Sequence, residues 1–548
     1  MKNNLTDTIY KLFEHSKKSR EDLTKKWDKW FSAYKGADEG SILKPKWKKD
    51  IALNYCFSSI ETIIPTMTDN KPRLFCLPEE RGDEMASKLA NNILDYKWDD
   101  LDLDVSLTRV LRAMLIWGNA FWKIIWDYAL DDVNVIMVNP HEIFVDPEAT
   151  TLADCRYIIH AVIRDLAYIH KTYPENGKDV KADTSHSDVE ETRGLAATGD
   201  WKEDFDKKVL LLECWLRDPD EMEEYVEQTE NGEVKAERPK YPNGRLITVA
   251  NHILLRDKKN PYDDFPFVKF TDYDLPNSFW GMGEIEQIYL LQQEINKRKA
   301  QIMKNSDLVA NPSLLVPRNS GIDTEKLTNE PGGIIPYVET PPSFLVPGIL
   351  PAYVFNLLER SKYELDSITG VHDVTQGRQP SGITAGIAIA ELQEAAQTRL
   401  RLKTRMMEKT LRTAGYKILR LIHDFYTEPR ILQIVGEDGK PQIIEFRGKD
   451  IPKDFKIQVE AGSSLPVNRY AKFQQAILLY NVKAIDQMAL LEAANWPDRE
   501  SIVARMQAPP MMLPGMGGGM PPMGGGAPPM PGGGAIPGAP AMPTIPGM

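Results

Sequence analysis

Two amphipathic helical runs that bracket a compact, proline-rich segment constrain this chain more than any other feature. The first run, residues 283–306, places Ile285, Ile288, Ile295 and Ile302 near one face. The second, residues 352–369, stops at Gly370. Between them, residues 310–351 hold short β-like runs such as PSLLVP and GGIIPYVE, so two helices flank a small module of its own. A third and longer helix is expected from Thr384 to Tyr426. Its apolar stripe is Ile389, Leu392, Ala396, Leu400, Met407, Leu411, Ala414 and Ile418, stepping by threes and fours with one gap. At 1.5 Å per residue it would span about 60 Å. Residues 373–383, DVTQGRQPSGI, read as a glycine-punctuated loop between two helices, the kind of segment that moves.

The other segments alternate in texture. Residues 4–35 read as one amphipathic helix ended by Gly36, and residues 52–68 as a second helix interrupted at Pro65. Residues 82–116 give one or two more. From 117 to 163 the period shifts towards two in NAFWKIIWDY, VNVIMVNP and YIIHAVIR. Residues 172–207 are polar, acidic and turn-rich, a mobile insertion, after which strands resume as far as residue 274. Short strands are expected at 430–435, 441–446 and 455–460, and two or three helices at 467–505.

At 548 residues the chain exceeds a single core, which stops growing near roughly 250–300 residues. Lys+Arg 67 against Asp+Glu 79 leaves a net charge of −12. Residues 508–548 hold no charged side chain and contain 12 Gly, 12 Pro and 8 Met, so all of the −12 lies on residues 1–507. That tail cannot pack a core. An acidic body disfavours a protein that coats nucleic acid over its whole surface, but not local contacts. No apolar run approaches the roughly 20 residues of a membrane span, and the charged N-terminus has no signal-peptide pattern. Cys56, Cys76, Cys155 and Cys214 lack metal spacing and read as buried free thiols.

The sequence holds no catalytic constellation. Gly436-Glu-Asp-Gly439-Lys440-Pro441 has the wrong spacing for a phosphate loop and Pro where Ser/Thr would bind magnesium. Gly281-Met282-Gly283 lacks the third glycine of a dinucleotide motif and reads as a flexible joint entering a helix. His372-Asp373 is a neighbouring pair without a third member. The acidic run Asp99, Asp100, Asp102, Asp104 reads as a solvated helix face, with nuclease metal ligands as the alternative. No catalytic residue, cofactor or metal site is assigned. The basic run Arg399, Arg401, Lys403, Arg405, Lys409 and Arg412 is read either as a helix face with intersubunit ion pairs or as a face near DNA.

The order of several strings resembles the portal proteins of tailed double-stranded DNA bacteriophages. The strings are WDKWFSAYKG (Trp27–Gly36), LNYCFSSIETIIPTMTDNKP (Leu53–Pro72), WGNAFWKIIWD (Trp117–Asp127) and VNPHEIFVDPEA (Val138–Ala149). FWGMGEIEQIYLLQQEINKRKAQIMKN (Phe279–Asn305) and ITGVHDVTQGRQPSGITAGIAIAELQEAAQTRLR (Ile368–Arg401) continue the series. The resemblance implies an α+β, mainly helical portal fold. Its parts would be a wing at 1–282, a first stem helix at 283–306, a clip at 307–351 and a second stem helix at 352–372. A tunnel loop at 373–384, a long helix with a return to the wing at 385–465, a helical crown at 466–506 and a disordered tail at 507–548 would complete it.

The same resemblance implies a ring of this chain, usually of twelve subunits, at one vertex of the virion capsid, assembled in the host cytoplasm. Its partners would be the large terminase subunit, the major capsid and scaffolding proteins, head-completion adaptor and tail proteins, and double-stranded DNA in the channel. No membrane is involved. Twelve copies at −12 each carry −144, which suits a conduit that must pass DNA without holding it. Because the chain has no nucleotide-binding loop, the motor would be a separate chain. Tunnel-loop residues Gln376, Gly377, Arg378, Gln379, Pro380, Ser381 and Gly382 are the candidates for channel contact. Arg318, Asp323, Glu325 and Lys326 are the candidates for clip contacts to terminase or adaptor. The alternatives are a metal-dependent DNA-processing enzyme and a neck adaptor without portal architecture.

Overall fold

The computed structural model describes residues 2–36, 53–68, 71–78, 84–182, 208–217, 221–229, 232–323, 336–345, 348, 350–370, 398–435, 441–452, 455–459, 469–494, 496, 499 and 502–503. The expected tunnel loop, the first part of the expected long helix, residues 183–207 of the acidic insertion and the Gly/Pro/Met tail lie outside them. The described residues form two compact units, residues 1–468 and 469–548.

The first unit opens with helices α1 (Lys2–Ser19), α2 (Glu21–Tyr34) and α3 (Tyr55–Thr68), then strand β1 (Leu74–Leu77) and helices α4 (Glu84–Asp100) and α5 (Leu103–Trp117). Strands β2 (Asn119–Asp127), β3 (Asp132–Val138), β4 (Ile143–Val145) and β5 (Tyr157–Asp165) follow, then the short helix α6 (Leu166–Thr172). Next come β6 (Lys208–Leu216), β7 (Met222–Thr229), β8 (Gly232–Pro239), β9 (Arg245–Ala250), β10 (Ile253–Lys259) and β11 (Phe267–Thr271). Helix α7 (Glu284–Ala310), strands β12 (Ser313–Leu315) and β13 (Ser343–Leu345), and helix α8 (Ala352–Thr369) make up the bracketed module. Helix α9 (Thr398–Phe425), the hairpin β14 (Arg430–Val435) and β15 (Pro441–Phe446), and β16 (Lys456–Val459) complete the unit. The second unit contains α10 (Arg469–Asn481) and α11 (Gln487–Ala493), the latter capped where Asp486 accepts from the Ala489 N–H at 2.8 Å.

Every pairing among the described strands is antiparallel. A five-stranded sheet runs β10-β9-β6-β5-β4 and a three-stranded sheet β11-β2-β3. The main core lies where α2, α3, α4, α5, the first turns of α7 and the length of α9 pack on the three-stranded sheet. Trp27, Ile60, Ile93, Leu107, Trp122, Phe270, Ile288 and Leu411 are buried there. A second cluster places Ile9 and Phe13 of α1 against Phe144, Ile159, Leu212 and Val249 of the larger sheet.

Three local expectations are corrected. The helix expected over 4–35 breaks at Arg20, because α1 and α2 serve different cores. The buried Arg20 guanidinium donates to the carbonyl of Pro140 at 2.6 Å and to those of His141 and Ile143, and sits 3.8 Å from the Phe144 ring centroid. Burial lowers its pKa to about 9. Helix α3 runs through Pro65 to Thr68 without interruption. Ile64 and Met67, both buried, hold the turn that proline weakens. The acidic insertion does not begin at 172: Tyr173 and Val180 are buried beside Ile169. All four cysteines are buried and free, and burial raises the thiols of Cys56, Cys155 and Cys214 to about 12.

Candidate functional site at the root of the helix pair

Helices α7 and α8 pack side by side, and α8 turns Val354, Leu358, Ser361, Leu365 and Thr369 inward at helical spacing. The opposite faces are uncovered. Leu290 is 74% exposed, Tyr353 67% and Tyr363 75%. The β12–β13 pair adds exposed Leu315, Phe344 and Leu345. Isolated two-stranded pairs are marginal in water, and these exposed side chains leave apolar surface open to a partner. Helix α7 has buried residues only as far as Ile295; none of residues 296–310 is buried.

The root of the pair is built by close backbone contact. Gly118 ends α5 with φ of 84°, a conformation that side-chain-bearing residues rarely adopt. A Cβ on Gly118 would lie 2.3 Å from the Gly281 carbonyl oxygen, and one on Gly283 would lie 2.8 Å from the Gly118 nitrogen. Asn119 Oδ1 accepts from the Gly281 N–H at 3.2 Å, and the Asp272 N–H donates to the Gly118 carbonyl at 3.1 Å. The Gly281–Gly283 string is therefore a close-packed junction and not the flexible joint expected.

Two side-chain clamps secure the helix beyond this junction. Gln292 of α7 caps α3 from outside: its Oε1 accepts from the N–H groups of Tyr55 at 2.9 Å and Cys56 at 3.3 Å, and its Nε2 donates to the Leu53 carbonyl at 2.6 Å. These are first-turn donors that have no partner within their own helix. Nearer the start, Lys403 of α9 reaches Asp272 and lies 2.5 Å from Glu284 Oε1, with its ammonium 3.9 Å from the Tyr273 ring centroid. Tyr273 donates its hydroxyl proton to Glu284 Oε1 at 3.0 Å. The Lys403, Asp272 and Glu284 side chains are each at most 2% exposed. Burial raises the Asp272 carboxyl well above the usual carboxylate range, against the pull of Lys403. Burial opposes the Lys403 charge, yet the two facing carboxylates outweigh it and raise its pKa.

Lys403 was expected to face DNA or a neighbouring subunit, and its burial removes it from both roles. Arg405, Lys409 and Arg412 are exposed, Arg401 is half-buried, and the Arg399 side chain lies outside the described residues. Steps of two along a helix send successive side chains to different sides, so the run is divided between core and solvent. Arg318 and Asp323 are exposed near the β12–β13 pair. Glu325, Lys326, His372, Asp373 and all of Gln376–Gly382 lie outside the described residues. The acidic run is used locally: Lys71 pairs with Asp99 at 2.5 Å, Lys97 with Asp100 at 2.7 Å, and Trp98 Nε1 donates to Asp104 at 2.7 Å. Among the described residues no group of three or more His, Cys, Asp or Glu side chains is arranged to hold a metal, and no described helix is long and apolar enough to cross a membrane.

Residues 36–525 match the family model of the phage P22-like portal protein. The chain belongs to that family. It is a phage portal, a structural head-to-tail connector of the virion at a capsid vertex, and its mixed helix-and-sheet architecture is the portal fold. Among solved structures the chain is similar to one described as the neck of an empty GTA particle computed with C6 symmetry. That similarity has 10% identity and a TM-score of 0.36, covering 77% of this chain and 85% of the other. No curated protein matches the chain.

Proposed function

We propose that the chain assembles into a ring, of twelve subunits as in the family it resembles, that conducts the genome during packaging and ejection. The ring docks the large terminase motor first, and head-completion adaptor and tail proteins later. Residues 1–282 and 385–465 form its wing, 283–306 and 352–372 its stem, 307–351 its clip, 373–384 its tunnel loop and 466–506 its crown. Scaffolding and major capsid proteins meet the outer parts. Gln376, Arg378 and Gln379 contact passing DNA, and Arg318, Asp323, Glu325 and Lys326 meet terminase or adaptor.

The observation that carries this reading is the uncovered apolar surface of α7, α8 and the β12–β13 pair. Leu290, Tyr353, Tyr363 and Phe344 are each more than 60% exposed, and neighbouring copies in a closed ring cover such a surface heterologously. Negative-stain imaging of the purified chain tests it: rings with a central hole are expected. Changing Leu290 and Tyr363 together to Ser should yield folded monomers with an unchanged circular dichroism spectrum. Rings that persist in this variant would remove the α7–α8 faces from the interface, and a wild-type chain without rings would remove the reading itself.

A further inference from the structure

We propose that Asp272 carries a proton on Oδ2 beside the Lys403–Glu284 ion pair, and that this proton latches the start of α7 to α9. Three elements meet at the cluster: the segment after β11 brings Asp272, the first turn of α7 brings Glu284, and α9 brings Lys403. The charged and titratable groups facing Asp272 are Lys403 from α9, Glu284 from α7, and Tyr273 from its own segment. With both carboxylates ionised the site holds two negative charges and one positive, closed off from water. An uncompensated buried charge is costly, and a group so placed takes up a proton instead.

Asp272 Oδ2 gives an independent indication. It is enclosed and has no hydrogen-bond partner among the described residues. An orphaned anionic oxygen is much costlier in such a site than an orphaned hydroxyl. With the Lys403 ammonium also held by Glu284, burial and that neighbouring negative charge favour a proton kept on Asp272 above the ordinary carboxylate range. The proton comes from solvent, the bond formed is one O–H, and nothing else changes hands. Because the folded-state affinity for this proton is raised, the latch is fully engaged below the ordinary carboxylate range. It weakens as pH rises through the folded value.

The test is amide exchange on the full-length chain between about pH 6 and about pH 8, corrected for intrinsic rates. Protection of residues 284–288 should fall with rising pH by up to about tenfold per pH unit, the limit for one proton. Asp272→Asn keeps the shape and leaves a neutral Lys403–Glu284 pair, so its protection should be flat over the same range. Infrared spectra near neutrality should show a carboxylic-acid carbonyl band that Asp272→Asn or Glu284→Gln removes. Wild-type protection that does not change with pH overturns the latch. So does a pH dependence that survives Asp272→Asn, or a wild-type spectrum without the band. Ring formation does not enter any of these readouts.

Discussion

Helix α7 belongs to two regions that obey different rules. Its first half is part of the body: Ile285, Ile288 and Ile295 are buried, Gln292 caps a neighbouring helix, and Glu284 is locked to Lys403. From residue 296 to Ala310 no residue is fully buried, although Ile302 still packs against the main core, and its partner α8 exposes Tyr353, Phe355 and Tyr363. The body covers most of its apolar surface, since two antiparallel sheets and the helices around α9 pack on one another, although Met85, Tyr128, Leu130, Ile431 and Ile443 stay exposed. The helix pair satisfies only the seam between its members. A helix gains most of its stability from packing one apolar face, so a pair with two apolar faces is complete only when something else covers the second. In the proposed ring, the body is stable before assembly and the pair is stabilised by it.

The largest effect should come from the junction that anchors the pair. Gly118→Val would place its side chain into the Gly281 carbonyl, 2.3 Å from the first added carbon, at a φ of 84°. A loss of about 3–5 kcal/mol, read as collapse of soluble yield or of the unfolding midpoint, is expected. A wild-type midpoint would show that the root can relax and that the two regions are not rigidly joined. A matched pair of changes on α8 comes next. Leu358→Ala removes a buried side chain from the seam and should cost about 2 kcal/mol or more in the exchange protection of α8. Tyr363→Ser, on the uncovered face, should stay within about 0.5 kcal/mol in the monomer. Equal effects at the two positions would erase the distinction between seam and open face.

Much of this division is legible in the sequence. The two helices flanking the module, the described part of the long helix (Thr398–Phe425) and the strands of 117–163 follow from patterning, although β2 and β5 are buried on both faces over most of their length. What patterning misses is tertiary. The one gap in the apolar stripe of the long helix, between Leu400 and Met407, is where Lys403 turns into the core. Its partners Asp272 and Glu284 are far away in sequence, and Glu284 reads as an ordinary first-turn acid. Arg20 looks like a solvated cation, yet it closes three carbonyls between two cores. Gly281 and Gly283 signal freedom locally, and only the approach of Gly118 shows that they are needed for contact. The continuity of α3 through Pro65 depends in the same way on Ile64 and Met67, which no local rule weighs.

The smallest effect concerns the sign of pH dependence in the body. Asp146, buried at the end of β4, takes a bidentate pair from Arg156, with Nη2 to Oδ1 at 2.9 Å and Nε to Oδ2, and accepts the Glu148 N–H at 3.2 Å. The Arg156 contact leads in holding its carboxyl below the ordinary range, and burial opposes it. A depressed folded pKa contributes stability that is present above about pH 3.9 and lost as pH falls through the folded value. Asp272 runs the opposite way, since its raised pKa favours acid. Asp146→Asn should therefore lower the unfolding midpoint near neutrality, where the Arg156 pair contributes in full, and flatten the acid limb below about pH 4. Asp272→Asn should leave that limb alone and flatten the neutral range. If Asp146→Asn instead changed the slope of the midpoint with pH between about pH 6 and about pH 8, the two buried aspartates would be coupled through the body, and its regions would not titrate independently.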